Sequence, residues 1–263
     1  KHNMSVVIDI VVGAGGLVGA AQVKRAPPDG YTLLYAGSGA MTIAPKLQPG
    51  AGVGPQDFAP VISTVSIPYI VAVAADSPVL RAGGFIEWVR RNPDRLRYGT
   101  PGTGSAPHLG MEALAKSLDA KLVHVPFTGI APAVQALLGG HLEAVIGAPS
   151  VVLPQVRGGK LAAIGVTSKE RFQHAKEIPA FNELGGAVDV SSYFGFFAPA
   201  GTPPAIIERL GAAIRDAAGD PLFAQAMARL YNNVTILAPG PFTAALDAEA
   251  AAFAPVIASL PKN

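Results

Sequence analysis

The stretch "YGTPGTGSAPHL", residues 98–109, is the part of the sequence best suited to bind a small anion. It reads as a strand, then a glycine-rich loop with two hydroxyls, then the start of a helix. Ser105 is a natural N-cap, and Pro107 suits the first helical turn. Main-chain N–H groups and the positive end of the helix dipole would then face an anion without any Arg or Lys. The alternative is an ordinary capped helix, and this loop alone does not decide between the two.

A second stretch, "YAGSGAMTIAP" (residues 35–45), repeats this design, with Gly37, Ser38 and Gly39 following a strand. Ligands of open α/β sheets lie beyond the carboxyl ends of the strands, where two such loops can face each other across a cleft. The two loops together favour a protein that binds a small anion.

The opening glycines raise another possibility, a dinucleotide-binding oxidoreductase that uses NAD(P). Gly13, Gly15 and Gly19 follow an apolar run, as in a dinucleotide fingerprint. The third glycine is one position late, however, and the next strand ends without the acidic residue that would hold the ribose. These two departures favour a closely packed strand-to-helix turn, and the oxidoreductase is kept as the alternative.

Catalytic and metal chemistry find little support elsewhere in the sequence. Ser38 and Ser105 both depart from the G-x-S-x-G nucleophile pattern, and the chain has no cysteine. His108, His124 and His141 lack the i, i+4 spacing of helical metal sites, and His124 is interpreted as a satisfied core or edge residue. We therefore expect neither an enzyme nor a metal or cofactor site.

Composition excludes further classes of protein. The 263 residues carry a net charge of +2, only 14% are charged, and no basic stripe suits a nucleic acid. The apolar stretch Val6–Ala21 contains Asp9 and four glycines and is too short to span a bilayer, which predicts a soluble chain without direct membrane insertion. The opening residues lead straight into strand-like sequence, so no signal peptide is expected in the chain as given.

Strand and helix patterns alternate along most of the chain, which predicts an α/β fold of mostly parallel sheets covered by helices. "SVVIDIVV", residues 5–12, reads as a buried strand of this kind. The predicted first lobe comprises residues 1–68 and 194–263, and the predicted second lobe comprises residues 69–193. Pro68 is the expected crossover, and the ligand cleft is expected between the lobes.

Several short motifs occur in one order along the sequence. They include "GAGG-x-x-GA", "PDGYTLL", "HVPF-x-G-x-AP", "LLGGHLE", "GKLAAIGVTS" and "YFGFFAPAGTP", together with the loop at residues 98–109. From about Val6 to the C-terminus the chain resembles the Bug-type extracytoplasmic solute receptors of tripartite tricarboxylate transporters. The resemblance implies a two-lobed, type II-like periplasmic binding protein that closes on a small carboxylate by a hinge and delivers it to a membrane permease. It implies no cofactor, and we expect a monomer. A ligand sensor for a signalling partner would use the same binding chemistry.

The resemblance also implies which residues contact the ligand. They are Ser38 and Gly39 in the first lobe, Thr103, Gly104, Ser105 and His108 in the second, Phe127 and Thr128 in a neighbouring loop, Gly147 and Ala148 after a further strand, and Tyr193 and Phe194 in the hinge strand. Thr128 stands where the family usually has Lys.

Two departures from the family pattern bear on the ligand. Amino-acid-binding members often have an Asp where this sequence has Gly147 and Ala148, which favours a ligand without an amine, such as a di- or tricarboxylate or an aromatic acid. The family also normally opens with a strand, a "P-F-x-P-G-G" loop and a helix that have no counterpart before "SVVIDIVV". Either the sequence given is a piece of a longer protein, or this member lacks the usual first-lobe grip. In the second case we expect a first-lobe sheet that lacks one strand and exposes a neighbouring edge.

Overall fold

The computed structural model describes residues 5–11, 13–81 and 84–259. Within these residues the chain forms two compact units. Unit 1 comprises residues 5–66 and 192–257, and unit 2 comprises residues 67–191 together with 258–259. The lobe boundaries predicted from the sequence, 1–68 with 194–263 and 69–193, remain a prediction about the functional lobes.

Helices and strands alternate through the central part of the chain. The strands are β1 (Leu34–Gly37), β2 (Phe58–Pro68), β3 (Ile70–Ala74), β4 (Arg97–Thr100), β5 (Val123–Pro126), β6 (Ala144–Gly147), β7 (Leu161–Val166), β8 (Ser191–Pro199) and β9 (Asn233–Leu237). The helices are α1 (Leu17–Lys24), α2 (Gly39–Thr42), α3 (Ala44–Leu47), α4 (Pro78–Arg81), α5 (Phe85–Arg91), α6 (Ala106–Ser117), α7 (Ile130–Leu138), α8 (Pro149–Arg157), α9 (Pro204–Ala218), α10 (Pro221–Arg229) and α11 (Pro239–Ser259).

Each unit is built on one sheet. The sheet of unit 1 has the strand order β1-β8-β2-β9, and that of unit 2 has the order β5-β4-β6-β3-β7. β4 runs parallel to β5 and β6, whereas β3 is antiparallel to β6 and β7, and the pairs β1–β8 and β2–β9 are antiparallel. The α/β fold is confirmed, and the prediction of mostly parallel sheets is wrong. The parallel strands β4, β5 and β6 are joined by the crossover helices α6 and α7, whereas β3 enters this sheet directly from β2 of the other sheet.

The glycines at the start of unit 1 serve close packing and backbone geometry, as predicted. Gly15 and Gly16 have φ angles of 66° and 97°, a backbone conformation that residues with a side chain rarely adopt. A Cβ atom on Gly16 would lie 3.1 Å from that of Ala40, and one on Gly19 would lie 3.4 Å from that of Val11. These contacts bring α1 against a core that includes Leu17, Met41, Phe58, Phe197 and Phe242.

The prediction that "SVVIDIVV" forms a buried strand is wrong for the described residues 5–11. They carry no strand assignment, and Val6, Val7, Ile8 and Ile10 are between 77% and 90% exposed. Within the described parts of the chain, β1 is the end strand of its sheet and pairs with β8 alone. An apolar run forms a buried strand only where a neighbouring strand supplies hydrogen bonds, and residues 5–11 have no such neighbour among the described residues.

Helix α11 is, among the described helices, the one long and apolar enough to cross a membrane by length and composition alone. The prediction that no segment spans a membrane was argued from residues 6–21 alone and did not consider this helix. Its buried residues recur every three or four positions, at Phe242, Leu246, Glu249, Phe253 and Val256. That spacing is typical of an amphipathic helix packed on a protein core.

Candidate ligand site

The candidate site of unit 2 lies where three parallel strands end together. Gly99 lies opposite both Val125 of β5 and Val145 of β6, so the carboxyl ends of β4, β5 and β6 meet at one edge. Gly147 is the last residue of β6, and the segments that follow these strands contain Thr103, Gly104, Ser105, Phe127, Thr128 and Ala148; all seven are predicted from the sequence as site residues. The segment after β5 contacts the end of β4, because the Phe127 N–H donates to the Thr100 carbonyl over 3.1 Å. This is the edge at which open α/β sheets bind their ligands.

The loop at residues 101–105, which we call the ligand loop, is held closed by its own hydrogen bonds. The Gly102 N–H donates to the Thr100 hydroxyl at 3.1 Å, and the Ser105 hydroxyl donates to the Gly102 carbonyl at 2.7 Å. Ser105 also accepts the His108 N–H at 3.4 Å as the N-cap of α6, so the predicted cap is confirmed. The Ser105 hydroxyl therefore already has two internal partners, and the expectation that it contacts the ligand is not favoured by this geometry.

His108 lies behind the ligand loop. It is only 2% exposed, and its Nδ1 accepts the Gly104 N–H at 3.0 Å. The ring stacks on that of His124, with centroids 3.8 Å apart, and Nε2 of His124 is 2.7 Å from the Thr100 hydroxyl oxygen. Burial, reinforced by His124, lowers the pKa of His108 to about 4, and burial lowers the pKa of His124. Both rings are therefore neutral at pH 7. His108 and Gly104, both predicted as ligand contacts, are hydrogen-bonded to each other, and their contact with a ligand stays a prediction.

Few hydrogen-bond donors in and around the ligand loop lack a partner. Within the described residues, no hydrogen-bond partner is found for the Thr103 N–H, the Thr103 hydroxyl or the Ala106 N–H. Thr103 is exposed, and Ala106 opens helix α6. Residues 100–106, 127–130 and 147–149 contain no Asp, Glu, Lys or Arg. An anion at this edge would thus meet neutral donors and the positive end of a helix dipole.

Ile130 occupies the position where a side chain at residue 147 would be. A Cβ atom on Gly147 would lie 2.3 Å from Cγ1 of Ile130, far inside the contact distance of two carbons. A carboxylate side chain at residue 147 is therefore incompatible with Ile130 as placed. Residues 147–149 carry no acidic side chain that would pair with an ammonium.

The predicted site residues of unit 1 lie together where β1 ends beside β8. Gly37 is opposite Phe194, whose ring covers Gly37 so closely that a Cβ there would be 3.1 Å from Cε1. The Ser38 N–H donates to the Tyr193 carbonyl at 2.7 Å, and the Ser38 hydroxyl accepts the Tyr193 N–H at 3.2 Å. Gly39 follows as the first residue of α2.

Ser38 has a structural partner that the sequence analysis missed. The side chain is fully buried and its hydroxyl donates to Oε1 of Glu249 in α11 at 2.9 Å. The Ser38 hydroxyl thus has an internal role, that of joining β1, β8 and α11, and its contact with the ligand stays a prediction. Burial raises the pKa of Glu249 to about 7, with the hydroxyls of Ser38 and Thr42 acting in the opposite direction.

Three residues of these sites were not among the predicted ones: His124, Ile130 and Glu249. Glu249 carried a signal, since it is an acidic residue on the apolar face of an otherwise regular heptad-like pattern. His124 and Ile130 carried none, because their roles depend on partners in other strands and loops. No group of three or more His, Cys, Asp or Glu residues that would hold a metal occurs in the described part of the chain.

Comparison with known proteins gives one consistent result. The sequence profile described as "Tripartite tricarboxylate transporter family receptor", TctC, matches residues 1–238. The UPF0065 protein in the tcbD-tcbE intergenic region of Pseudomonas sp. strain P51 is 32% identical over 233 residues, which cover 87% of this chain and 68% of that protein.

Solved structures agree with the sequence match. Rpa4515 of R. palustris, solved with adipate, has a TM-score of 0.82 and 26% identity, covering 98% of this chain and 86% of that one. MatC (Rpa3494) of Rhodopseudomonas palustris, solved with bound malate, has a TM-score of 0.75 and 28% identity, covering 93% and 85%. Profile, relative and fold all agree, and the chain belongs to the family of tripartite tricarboxylate transporter receptors, as its motifs indicate.

Proposed function

We propose that this receptor captures a small organic carboxylate that lacks an amine, by hinge closure, and delivers it to the membrane permease of a tripartite transporter. It acts as a monomer in the periplasm and releases its ligand chemically unchanged. The observation that carries the proposal is the set of unpartnered donors at the ligand loop, the Thr103 N–H and hydroxyl and the Ala106 N–H. They lie at the N-terminus of α6, where the helix dipole favours a negative group.

The absence of an amine from the ligand is supported by the surroundings of Gly147. Residues 147–149 carry no acidic side chain, and Ile130 fills the space next to Gly147. A ligand ammonium would lose its hydration there without gaining a counter-charge. Relatives solved with malate and with adipate support a carboxylate as the ligand class.

A thermal-shift screen tests the proposal directly. The purified chain is melted alone and with malate, adipate, citrate, benzoate, glutamate or NAD⁺. A ligand present at a hundred times its Kd adds about 2.7 kcal/mol to the free energy of unfolding, which raises the Tm clearly. We expect a shift with at least one of the four amine-free acids and none with glutamate or NAD⁺. A shift with glutamate or NAD⁺ alone, or with no acid at all, would contradict the proposal.

A further inference from the structure

The ligand loop is coupled to two buried imidazoles that the proposed function does not use. The Gly104 N–H ends on Nδ1 of His108, so the neutral ring carries its proton on Nε2. His108 stacks on His124 with an interplanar angle of 22°, and His124 reaches the Thr100 hydroxyl at the start of the loop. The two rings, which we call the histidine pair, therefore contact the loop at both of its ends.

Protonation of His108 is incompatible with this arrangement. A second proton would have to sit on Nδ1, and Nδ1–H would then face the Gly104 N–H, donor against donor. The hydrogen bond that fixes Gly104 would be lost, and a positive charge would lie against the His124 ring at a centroid distance of 3.8 Å. The loop must leave its observed position before the ring can accept the proton.

The groups around the histidine pair do not compensate for such a charge. Tyr98 of β4 lies beside His124, with ring centroids 5.3 Å apart, and it donates its hydroxyl to Glu112 of α6. The carboxylate of Glu112 is thus engaged with Tyr98. Burial and Glu112 raise the pKa of Tyr98, which keeps this hydroxyl protonated as a donor. These titratable neighbours therefore suit two neutral imidazole rings and would not neutralise a protonated one.

We propose that the histidine pair positions the ligand loop while both rings are neutral, and that acidification frees the loop and weakens its grip on the carboxylate. The lowered pKa of His108 fixes the direction of the effect. The closed loop is fully favoured above the ordinary pKa of 6.5 and loses its advantage as the pH falls towards about 4. The weakening of ligand binding rests on the proposed function, and the positioning of the loop does not.

Amide hydrogen exchange at Gly104 tests the positioning role without any ligand. If the open loop restores an ordinary pKa to His108, the protection factor of this amide falls about twentyfold between pH 7 and pH 5. His108→Gln keeps a side-chain acceptor but cannot be protonated, so its protection should hardly change. His141→Gln removes an exposed imidazole of the same unit and should behave as the unchanged chain. Equal protection at both pH values in the unchanged chain, or an equal fall in H108Q, overturns the proposal.

Titration calorimetry with adipate separates this inference from the proposed function. Protonation of adipate itself affects all variants alike, so only differences between their pH profiles are compared. We expect the affinity to fall more steeply with acidification in the unchanged chain than in H108Q, by up to about twentyfold. Parallel profiles beside a pH-dependent Gly104 amide would count against the loop as the carboxylate site. The histidine pair would still position the loop in that case.

Discussion

The Ser38 hydroxyl donates to Oε1 of Glu249 across 2.9 Å, although the two residues are 211 positions apart in the sequence. Glu249 is 8% exposed, and its other oxygen, Oε2, has no partner among the described residues. A buried carboxylate held by so few donors is costly when ionised, so the protonated form is favoured. The pair therefore makes the stability of unit 1 depend on pH near neutrality.

Glu249→Gln should remove this dependence. The folded pKa of about 7 lies above the ordinary value of 4.5, so the stabilisation is complete below pH 4.5 and is lost as the pH rises through 7. Between pH 5 and pH 8 the contribution changes by about 2 to 3 kcal/mol. Urea denaturation of both chains at the two pH values measures it. The free-energy difference between Glu249→Gln and the unchanged chain should shift in favour of the variant as the pH rises. A difference independent of pH would refute the raised pKa.

Ser38→Ala should destabilise unit 1 without touching its surface. The variant removes the donor to Glu249 and the acceptor of the Tyr193 N–H, and buried groups left unpaired cost about 1–3 kcal/mol. Thr243→Ala is the matched control, because it deletes an exposed hydroxyl bonded to the Pro239 carbonyl in α11. Denaturant midpoints of the two variants give the comparison. A cost for Ser38→Ala no larger than that of the control would mean that Ser38 does not join these elements.

Substitutions at Thr103 and Ser105 should distinguish an effect on ligand binding from an effect on folding stability. Ser105→Ala removes the cap of α6 and should cost about 0.5–2 kcal/mol of stability. Thr103→Val changes an exposed residue and should leave stability within about 0.5 kcal/mol, while the lost donor to a carboxylate weakens binding about tenfold or more. Thr103→Ser keeps the hydroxyl and serves as the control. Adipate affinity and Tm are measured on all three. Normal adipate binding by Thr103→Val would remove its hydroxyl from the site.

Gly147→Ala should be destabilising because of Ile130. The new Cβ would lie 2.3 Å from Cγ1 of Ile130, and overpacking of this kind costs about 1–3 kcal/mol. Ile130→Ala made in the same chain should relieve the clash, so the double variant should be more stable than the sum of the two single effects. Denaturation of the four chains completes the cycle. Strict additivity would show that the two residues do not share this space.

The sequence was most informative where a pattern is local. The ligand loop and the start of α6 were predicted because the glycines, the cap and the proline all lie within a few residues, and Ser105 does cap α6. The prediction of a buried strand at residues 5–11 was wrong, because the periodicity and composition of a run do not tell whether a partner strand exists. The roles of Glu249 and His124 depend on residues brought together only by the fold. The side chains of Ser38 and Ser105, predicted as ligand contacts, also have hydrogen-bond partners inside the fold.

The free donors at the ligand loop include the main-chain N–H groups of Thr103 and Ala106, which every non-proline residue possesses. Substitution can alter what surrounds them, but it does not delete them as long as the turn keeps its form. Under the proposed function, recognition of the carboxylate would depend on the conformation of the backbone. The side chains around the loop could then be substituted without loss of these donors. This chain and the Pseudomonas sp. strain P51 relative differ at some seventy per cent of aligned positions. Receptors that differ this much can then bind a carboxylate through the same main-chain donors and still differ in the ligand that they carry.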